Sequence, residues 1–567
     1  MKILGICPDV WISSAVLIDN GTIVAAGAEE RFNRQKMSKN FPIEAIAYCL
    51  EQAKCSIEDV DYIAMGWNPG AHIKRPNSRM AGAARWRPEY LYSVPSQLSG
   101  LFKDKNIQYI EQHLVQAKNQ NKILYVPHHL SHAANAFYLS PHKKAAIMTI
   151  DGRGEDATAL FAAGNGNRIK ELQTLSFPHS LGLLYGTITE FLGFKPDSDE
   201  WKVMALASAG KENNEYYKML KKMVTLQADG LFEMDLSYFS YYIHDQEHFY
   251  TDKFIQLFGK ARNPDDGITF RHKQIAAALQ QLSEEIGAHM LTWLHKKTKM
   301  ENVVLAGGFF MNSVFNGKVQ ERTPFKQVFI SACPDDSGTS IGAALYVYNH
   351  LLDNNKRDEM THNFYGPEFS NKEIKASLDK YHISYEYVDA IEEEAASLIS
   401  KGNIIGWFQG KMEFGQRALG NRSILADPRK KDMKDKVNSV IKYRESFRPF
   451  APSILQEYVH EYFECQKDAK VPFMEKVFMI KKNKQKKIPA VTHIDGSGRL
   501  QTVEFKINKK YHKLISAFAD KTGVPVVLNT SFNLKGEPIV CTPTDALRTF
   551  YTCGLDALVL GNYIIKK

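Results

Sequence analysis

Short apolar runs broken by polar turns open the chain. KILGIC, SAVLID and TIVAAGA read as three strands, with Asn20-Gly21 as a two-residue hairpin turn between the second and third. The same order returns about 140 residues later: AAIMTID, a loop holding Gly152 and Gly154, ATALFAA, a turn at Gly164-Asn165-Gly166, then RIKEL. The echo predicts duplicated subdomains, each built on an antiparallel meander whose first loop faces a shared cleft. Ile275, Leu279, Leu282, Ile286, Met290 and Trp293 recur at helical spacing and predict the buried stripe of a long helix. NVVLAGG reads as a buried strand entering a glycine turn, and the stretch 212–270 as aromatic and irregular. A polar segment over 351–370 is the best linker, followed by a fresh alternation of helical and strand patterns. The expected domains are 1–355 and 366–567, with the boundary near 360.

A meander repeated around one cleft is the arrangement of the actin/Hsp70-like nucleotide-binding fold. Composition agrees with an α/β (α+β) enzyme of more than one domain: 567 residues exceed one core, and 44% hydrophobic with 24% charged residues is ordinary for such a protein. No apolar run reaches the length of a membrane span, and MKILGICPDV reads as a first strand rather than a signal peptide. Seven scattered cysteines without a C-x-x-C pair predict reduced thiols in a cytoplasmic protein. The net charge of +9 draws on KKNKQKK at 481–487, five lysines with no arginine or aromatic between them. That run reads as a solvated loop, so neither a nucleic-acid nor a membrane partner is expected.

Candidate chemistry falls in two groups. In the first half, His128 and His132 stand four apart in HHLSHA and share one face of a helix. Asp151 ends a predicted strand just before glycines, and Asp335 and Asp336 occupy a second strand-to-helix loop. Imidazoles joined by carboxylates suit Fe, Mn or Zn better than Ca or Mg. In the second half, cations sit inside apolar, glycine-punctuated blocks: Arg417 and Arg422; Lys442, Arg444 and Arg448; His493 and Arg499. VVLNTSFNLKGEPIV adds Asn529, Thr530, Ser531 and Asn533. An unpaired charge there is expensive, so an internal anion held by guanidinium forks and neutral donors is the better account.

The order HHLSHA, DGRGE, SDEWKVMALA, AGGFFMNS, DDSGTSIGAA resembles the family of nodulation-protein, cephamycin and tobramycin O-carbamoyltransferases. The resemblance runs from AAGAEERFNRQK to NTSFNLKGEPIV, essentially the whole chain. It implies a first domain similar to the tRNA threonylcarbamoyl-transfer protein, binding iron(II) or another divalent metal through His128, His132, Asp151 and Asp336. Asp336 is preferred over Asp335 because the family's carboxylate lies two residues before a glycine. The nucleotide contacts it implies are Lys36, Asp151, Gly152, Gly154, Glu155, Gly308 and Asn312. It further implies a YrdC-like second domain that takes carbamoyl phosphate through Arg417, Lys442, Arg448, Arg499, Asn529 and Ser531. ATP, with Mg(2+), would convert carbamoyl phosphate to carbamoyl-adenylate, which passes to an alcohol acceptor such as a sugar or natural product. Where the family shows a Gly-His-Asp-Ala-Ser type sequence this chain has CPDVWISS, leaving Asp9 as the carboxylate that orients or deprotonates the acceptor. A smaller departure is Ala205, where glycine is usual.

Two other readings stay in view: a tRNA threonylcarbamoyl-transfer enzyme and a nucleotide-dependent binding protein without transferase activity. The anion-binding blocks of the second half argue against both. A hydrogenase-maturation carbamoyltransferase would carry C-x-x-C zinc motifs, which this chain lacks. The acceptor's identity is open, with the aromatic stretch 235–250 as a candidate selecting wall, and a homodimer is left open.

Overall fold

The computed structural model describes residues 1–8, 12–68, 122–243, 246–442, 445 and 447–567. They form two compact units of mixed α/β structure. The first comprises Met1–Glu29, Ser38–Asn312 and Lys318–Met360, and the second Glu30–Met37, Ser313–Gly317 and Thr361–Lys567. The chain therefore changes unit at Thr361, but two short segments of the first half, one of them carrying Lys36, belong to the second unit.

The first unit is built on two sheets of five strands with one topology. In one, β1 (Lys2–Cys7), β2 (Ser14–Asp19), β3 (Thr22–Ala28), β4 (Tyr62–Met65) and β5 (Lys122–Tyr125) lie in the order β3-β2-β1-β4-β5. In the other, β6 (Lys144–Ile150), β7 (Ala157–Asn165) and β8 (Arg168–Ser176) make the meander. A hairpin of β9 (Val224–Leu226) and β10 (Phe232–Met234) intervenes before β11 (Asn302–Ala306) and β12 (Gln327–Ile330) complete the order β12-β11-β6-β7-β8. Each first strand runs antiparallel to the second and parallel to the fourth, so the duplication is real at the level of register.

Asn20 and Gly21 close the first meander with φ of 47° and 81°, as the hairpin needs. The second meander closes two residues later than expected, around Gly166-Asn167, with Asn165 paired to Arg168. Gly164 is a packing position within β7: a Cβ there would stand 2.4 Å from the Phe137 ring. The long helix runs Phe270–Thr298, and Ile275, Leu279, Leu282, Ile286 and Met290 are all buried. Trp293 is half-buried instead, its ring edge-on to Phe161 and against Gly230. The aromatic stretch after β10 is short pieces tied together by a Phe239–Tyr250 bridge and the helix Asp252–Phe258.

The second unit is organised on nine strands: β13 (Glu386–Tyr387), β14 (Ile405–Phe408), β15 (Arg422–Ala426), β16 (Ala451–Leu455), β17 (Lys476–Met479), β18 (Ser497–Val503), β19 (Val526–Ser531), β20 (Ala557–Leu560) and β21 (Tyr563–Lys566). Their order is β13-β21-β20-β14-β15-β19-β16-β18-β17. The core includes Trp407 on β14 and the stripe Tyr511, Leu514, Ile515 and Phe518 of the helix Lys509–Thr522. Among the described residues no helix is long and apolar enough to cross a membrane.

Candidate active site

Small residues bring the histidines to their carboxylates. The helix His128–Tyr138 packs on the helix Thr339–Leu345 so closely that a Cβ on Gly342 would stand 1.7 Å from the Ser131 carbonyl. A Cβ on Gly338 would stand 2.0 Å from the Cys333 carbonyl and 2.4 Å from the Asn135 amide. That amide donates to Ser331 Oγ at 3.0 Å and to Cys333 O at 2.8 Å, fixing the loop ahead of the turn Asp336–Gly338. Asp336 thereby faces the histidines. Asp151, at the end of β6, is held by the Gly152 N–H, which donates to its Oδ1 at 2.7 Å.

The four groups converge. His132 Nε2 is 3.1 Å from His128 Nε2, 2.9 Å from Asp151 Oδ2 and 3.4 Å from Asp336 Oδ1. His128 Nε2 is 3.4 Å from Asp151 Oδ2 and 3.5 Å from Asp336 Oδ1. One donor atom from each residue lies within 4.8 Å of every other, and all four residues are buried. Burial alone would strip both imidazoles of their protons, but the two carboxylates outweigh it and raise His128 and His132, while Asp151 is held well below the usual carboxylate range despite its own burial. Two imidazole nitrogens and two carboxylates around one point are a donor set for a divalent cation, which would take the place of the bound protons.

The third histidine differs. His129 Nδ1 pairs with Thr149 Oγ1 at 2.7 Å and its Nε2 with the Ala157 carbonyl at 3.1 Å. Burial pushes its pKa down to about 3, so it is neutral, with the remaining N–H donated to the carbonyl. Glu155 is also a structural partner: its carboxylate accepts the His128 N–H at 2.9 Å and the Asn68 N–H at 2.6 Å. It caps the His128–Tyr138 helix, whose N-cap residue Pro127 offers no side-chain acceptor.

Glycines crowd the Asp151 loop. A Cβ on Gly308 would stand 2.9 Å from Asp151 Oδ1, and one on Gly182 2.6 Å from the Gly152 nitrogen. Gly154 is packed under His129, whereas a Cβ on Gly152 would meet nothing within 4 Å among the described residues. Asn312 exchanges two hydrogen bonds with Gln280, donating at 2.9 Å and accepting at 3.2 Å. Gln280 accepts from Tyr185 and donates to Glu284, which is buried and paired with Lys318 and Arg322. Lys36 is exposed and lies in the segment grouped with the second unit; Asp9 lies outside the described residues.

Two carboxyls that sequence reasoning missed stand nearby. Asp197, at φ 60°, donates its N–H to Glu200 Oε1 at 2.6 Å. Burial pushes Glu200 up to about 8, with the Asp197 charge adding to it, and burial pushes Asp197 up to about 6. The helix Leu181–Phe191 connects them to the cluster: Gly182 abuts the Asp151–Gly152 peptide, and one turn on, Gly186 faces Phe249 and Glu200 Oε1. Both belong to the SDEWK stretch, but nothing in that string reveals their surroundings.

In the second unit, Lys442 Nζ donates to Ser531 O at 2.5 Å, Asn533 O at 2.9 Å and Asn533 Oδ1 at 2.8 Å. Lys442 and Ser531 are therefore together. Asn529, on the same face of β19, spends its amide on Ala418 O, Ser453 Oγ and Gln501 Oε1. Arg499 precedes Gln501 by two on β18 and shares its face. Arg448 Nη1 is 3.3 Å from Glu445 Oε2. Arg422 is not a free anion ligand: fully buried, it donates to the carbonyls of Gln409, Gly410, Asn421 and Pro367 and lies 3.6 Å over the Phe408 ring. Arg444 lies outside the described residues.

Comparison with known proteins assigns both halves of the chain to one family. The family pattern "Carbamoyltransferase N-terminus" matches residues 2–345, and "Carbamoyltransferase C-terminus" matches 396–567. Nodulation protein NolNO of Sinorhizobium fredii is 37% identical over 561 residues, 98% of this chain and 78% of that protein. An uncharacterized protein of Synechocystis is 38% identical over 601 residues, covering 100% of this chain and 96% of its own. The 3'-hydroxymethylcephem-O-carbamoyltransferase of Streptomyces clavuligerus is 30% identical over 304 residues, 52% of this chain and 54% of that enzyme. The chain belongs to the carbamoyltransferase family and is a transferase.

Proposed function

We propose that the protein is an ATP-dependent O-carbamoyltransferase: carbamoyl phosphate loses phosphate to give carbamate, ATP adenylates the carbamate with release of pyrophosphate, and the carbamoyl group passes from the adenylate to a small-molecule alcohol as AMP leaves. The convergence of His128, His132, Asp151 and Asp336 in a duplicated, actin-like unit carries the reading. These four residues would hold a divalent metal, iron(II) being the family's usual ion, which when bound would polarise the carbamoyl carbonyl and offset charge on the departing phosphate. The chain's own residues do the rest. Gly152 leaves its backbone open to a nucleotide phosphate, since no side chain intervenes. Asp197, whose carboxyl is pushed up to about 6, is placed to accept the hydroxyl proton of the acceptor, while Glu200, pushed up to about 8, keeps its own proton near neutral pH.

In the second unit, which we read as YrdC-like, Arg417, Arg448 and Arg499 would supply the guanidinium groups for carbamoyl phosphate, and Lys442 and Ser531, hydrogen-bonded to each other, complete the proposed set. Arginine forks recognise a phosphate dianion with both strength and geometry. The acceptor is read as an alcohol because a relative of this chain is named for O-carbamoylation of a hydroxymethyl group. The test is pyrophosphate release by the purified protein with ATP. Release that requires carbamoyl phosphate is the expected result. No release from folded protein supplied with iron would overturn the proposal.

A further inference from the structure

The block that carries Arg417 folds around a carboxylate of its own chain. Glu413 is 3% exposed. Its Oε1 accepts the N–H of Leu419 at 2.7 Å, of Asn421 at 2.8 Å and of Arg422 at 3.3 Å. Backbone amides converging on one point form the concavity that proteins use for anions, and here the anion is built in. The neighbouring peptides are held as well. Arg31 Nη2 donates to Gly415 O at 2.9 Å, Asn529 Nδ2 to Ala418 O at 3.2 Å and Gln501 Nε2 to Leu419 O at 2.9 Å. Trp407 Nε1 donates to Gly420 O at 2.8 Å, and the Gly420 N–H donates to Ser423 Oγ at 3.1 Å. Gly415 and Gly420 take φ of 114° and 107°, and a Cβ on Gly420 would stand 2.2 Å from the Tyr511 ring. All these residues belong to the second unit. A carboxylate this buried is costly, and nothing in the chemistry described above uses it.

We infer that Glu413 is a positioning residue: by gathering the amides of Leu419, Asn421 and Arg422 it shapes the loop 415–421 so that Arg417 is preset for the phosphate dianion of carbamoyl phosphate. The inference rests on the proposed function of the second unit. Presetting the loop removes an ordering cost that the ligand would otherwise bear, so its loss appears as weaker carbamoyl phosphate binding. Asn529 and Arg31 belong to the same scaffold, since both grip the loop's carbonyls.

The experiment measures carbamoyl-phosphate-dependent pyrophosphate release by the full chain carrying E413Q, R417A or both. Glutamine keeps the size and one oxygen acceptor but removes the charge that gathers the three N–H donors. E413Q should raise the KM for carbamoyl phosphate by about tenfold or more while the KM for ATP stays within about twofold. In the R417A background it should add nothing, the double variant matching R417A within about twofold. If E413Q does not fold, S423A, which frees one loop peptide, should show a rise of about threefold with the same cancellation. Equal effects of E413Q with and without Arg417 would overturn the inference alone. An unchanged KM in R417A would overturn it too, by removing Arg417 from the site. No carbamoyl-phosphate-dependent release from the unmodified protein would instead sink the proposed function and this inference together.

Discussion

His129 and His132 are three residues apart on one helix, yet their chemistry is opposite. His132 turns Nε2 toward two carboxylates, while His129 satisfies both ring nitrogens on Thr149 and Ala157. Replacing His129 by alanine should cost about 1–3 kcal/mol of stability and leave bound metal unchanged, because a buried hydroxyl loses its partner while the ligand set is untouched. H132A should lower bound metal at least about tenfold. Thermal melts and metal analysis of the two variants check this, and loss of metal in H129A would remove the distinction. Glu200 offers a second test at this scale. Burial holds its folded pKa at about 8, above the ordinary glutamate value of 4.5. The folded state therefore binds the extra proton between these values, so stability falls as pH rises through that window and levels off above it. Asp197 and Asp199 of its own turn add to the effect, and Tyr185 on the neighbouring helix responds to the same charge. E200Q should flatten the decline in melting temperature between about pH 5 and pH 8. An unchanged slope would show that Glu200 is not the group titrating.

At the scale of elements, the metal cluster depends on how closely two helices approach. A methyl on Gly342 cannot fit 1.7 Å from the Ser131 carbonyl, so G342A must push the helix Thr339–Leu345 away and carry Asp336 with it. It should destabilise the first unit by about 1–3 kcal/mol or more and weaken metal binding. G152A, whose Cβ would meet nothing within 4 Å among the described residues, should change stability by no more than about 0.5 kcal/mol while weakening the binding of AMP. If both glycines behave alike, packing does not separate their roles. The meanders were legible in the sequence because strand alternation and Asn20-Gly21 are local signals. The second turn was misplaced because Gly164 is a glycine for a reason the local pattern does not contain, the Phe137 ring beneath it. His128 and His132 could be paired by spacing, but no periodicity joins them to Asp336, some two hundred residues on; that link came from the family resemblance. Arg422 and Asn529 look like ligands in apolar, glycine-rich blocks, yet backbone carbonyls take up Arg422 and three buried oxygens the Asn529 amide. A carbonyl partner and a bound anion leave the same trace in a sequence. Asp197 and Glu200 were missed for the converse reason, since the surroundings that raise their carboxyl pKa values are a property of the fold.

For the whole molecule, the two sets of residues lie in different units, and the proposed reaction divides between them in the same way. Adenylation of carbamate needs the cations of the second unit, and transfer to the alcohol needs the cluster of the first. D336N should therefore lose metal yet retain carbamoyl-phosphate-dependent pyrophosphate release within about threefold, since removing one carboxylate from the cluster leaves every proposed carbamoyl phosphate ligand in place. R448A should do the reverse, keeping its metal while release falls about 100-fold or more, the usual penalty for removing a preorganised group that meets developing charge. Neither measurement needs the acceptor to be known. Circular dichroism of each variant separates lost chemistry from lost fold. If folded D336N also lost pyrophosphate release, adenylation would depend on the metal cluster, and the assignment of the half-reactions to separate units would fail. If R448A lost its metal, the coupling would run in the other direction. The crossed pattern alone supports a chain whose first half holds the ion and whose second half prepares the carbamoyl group.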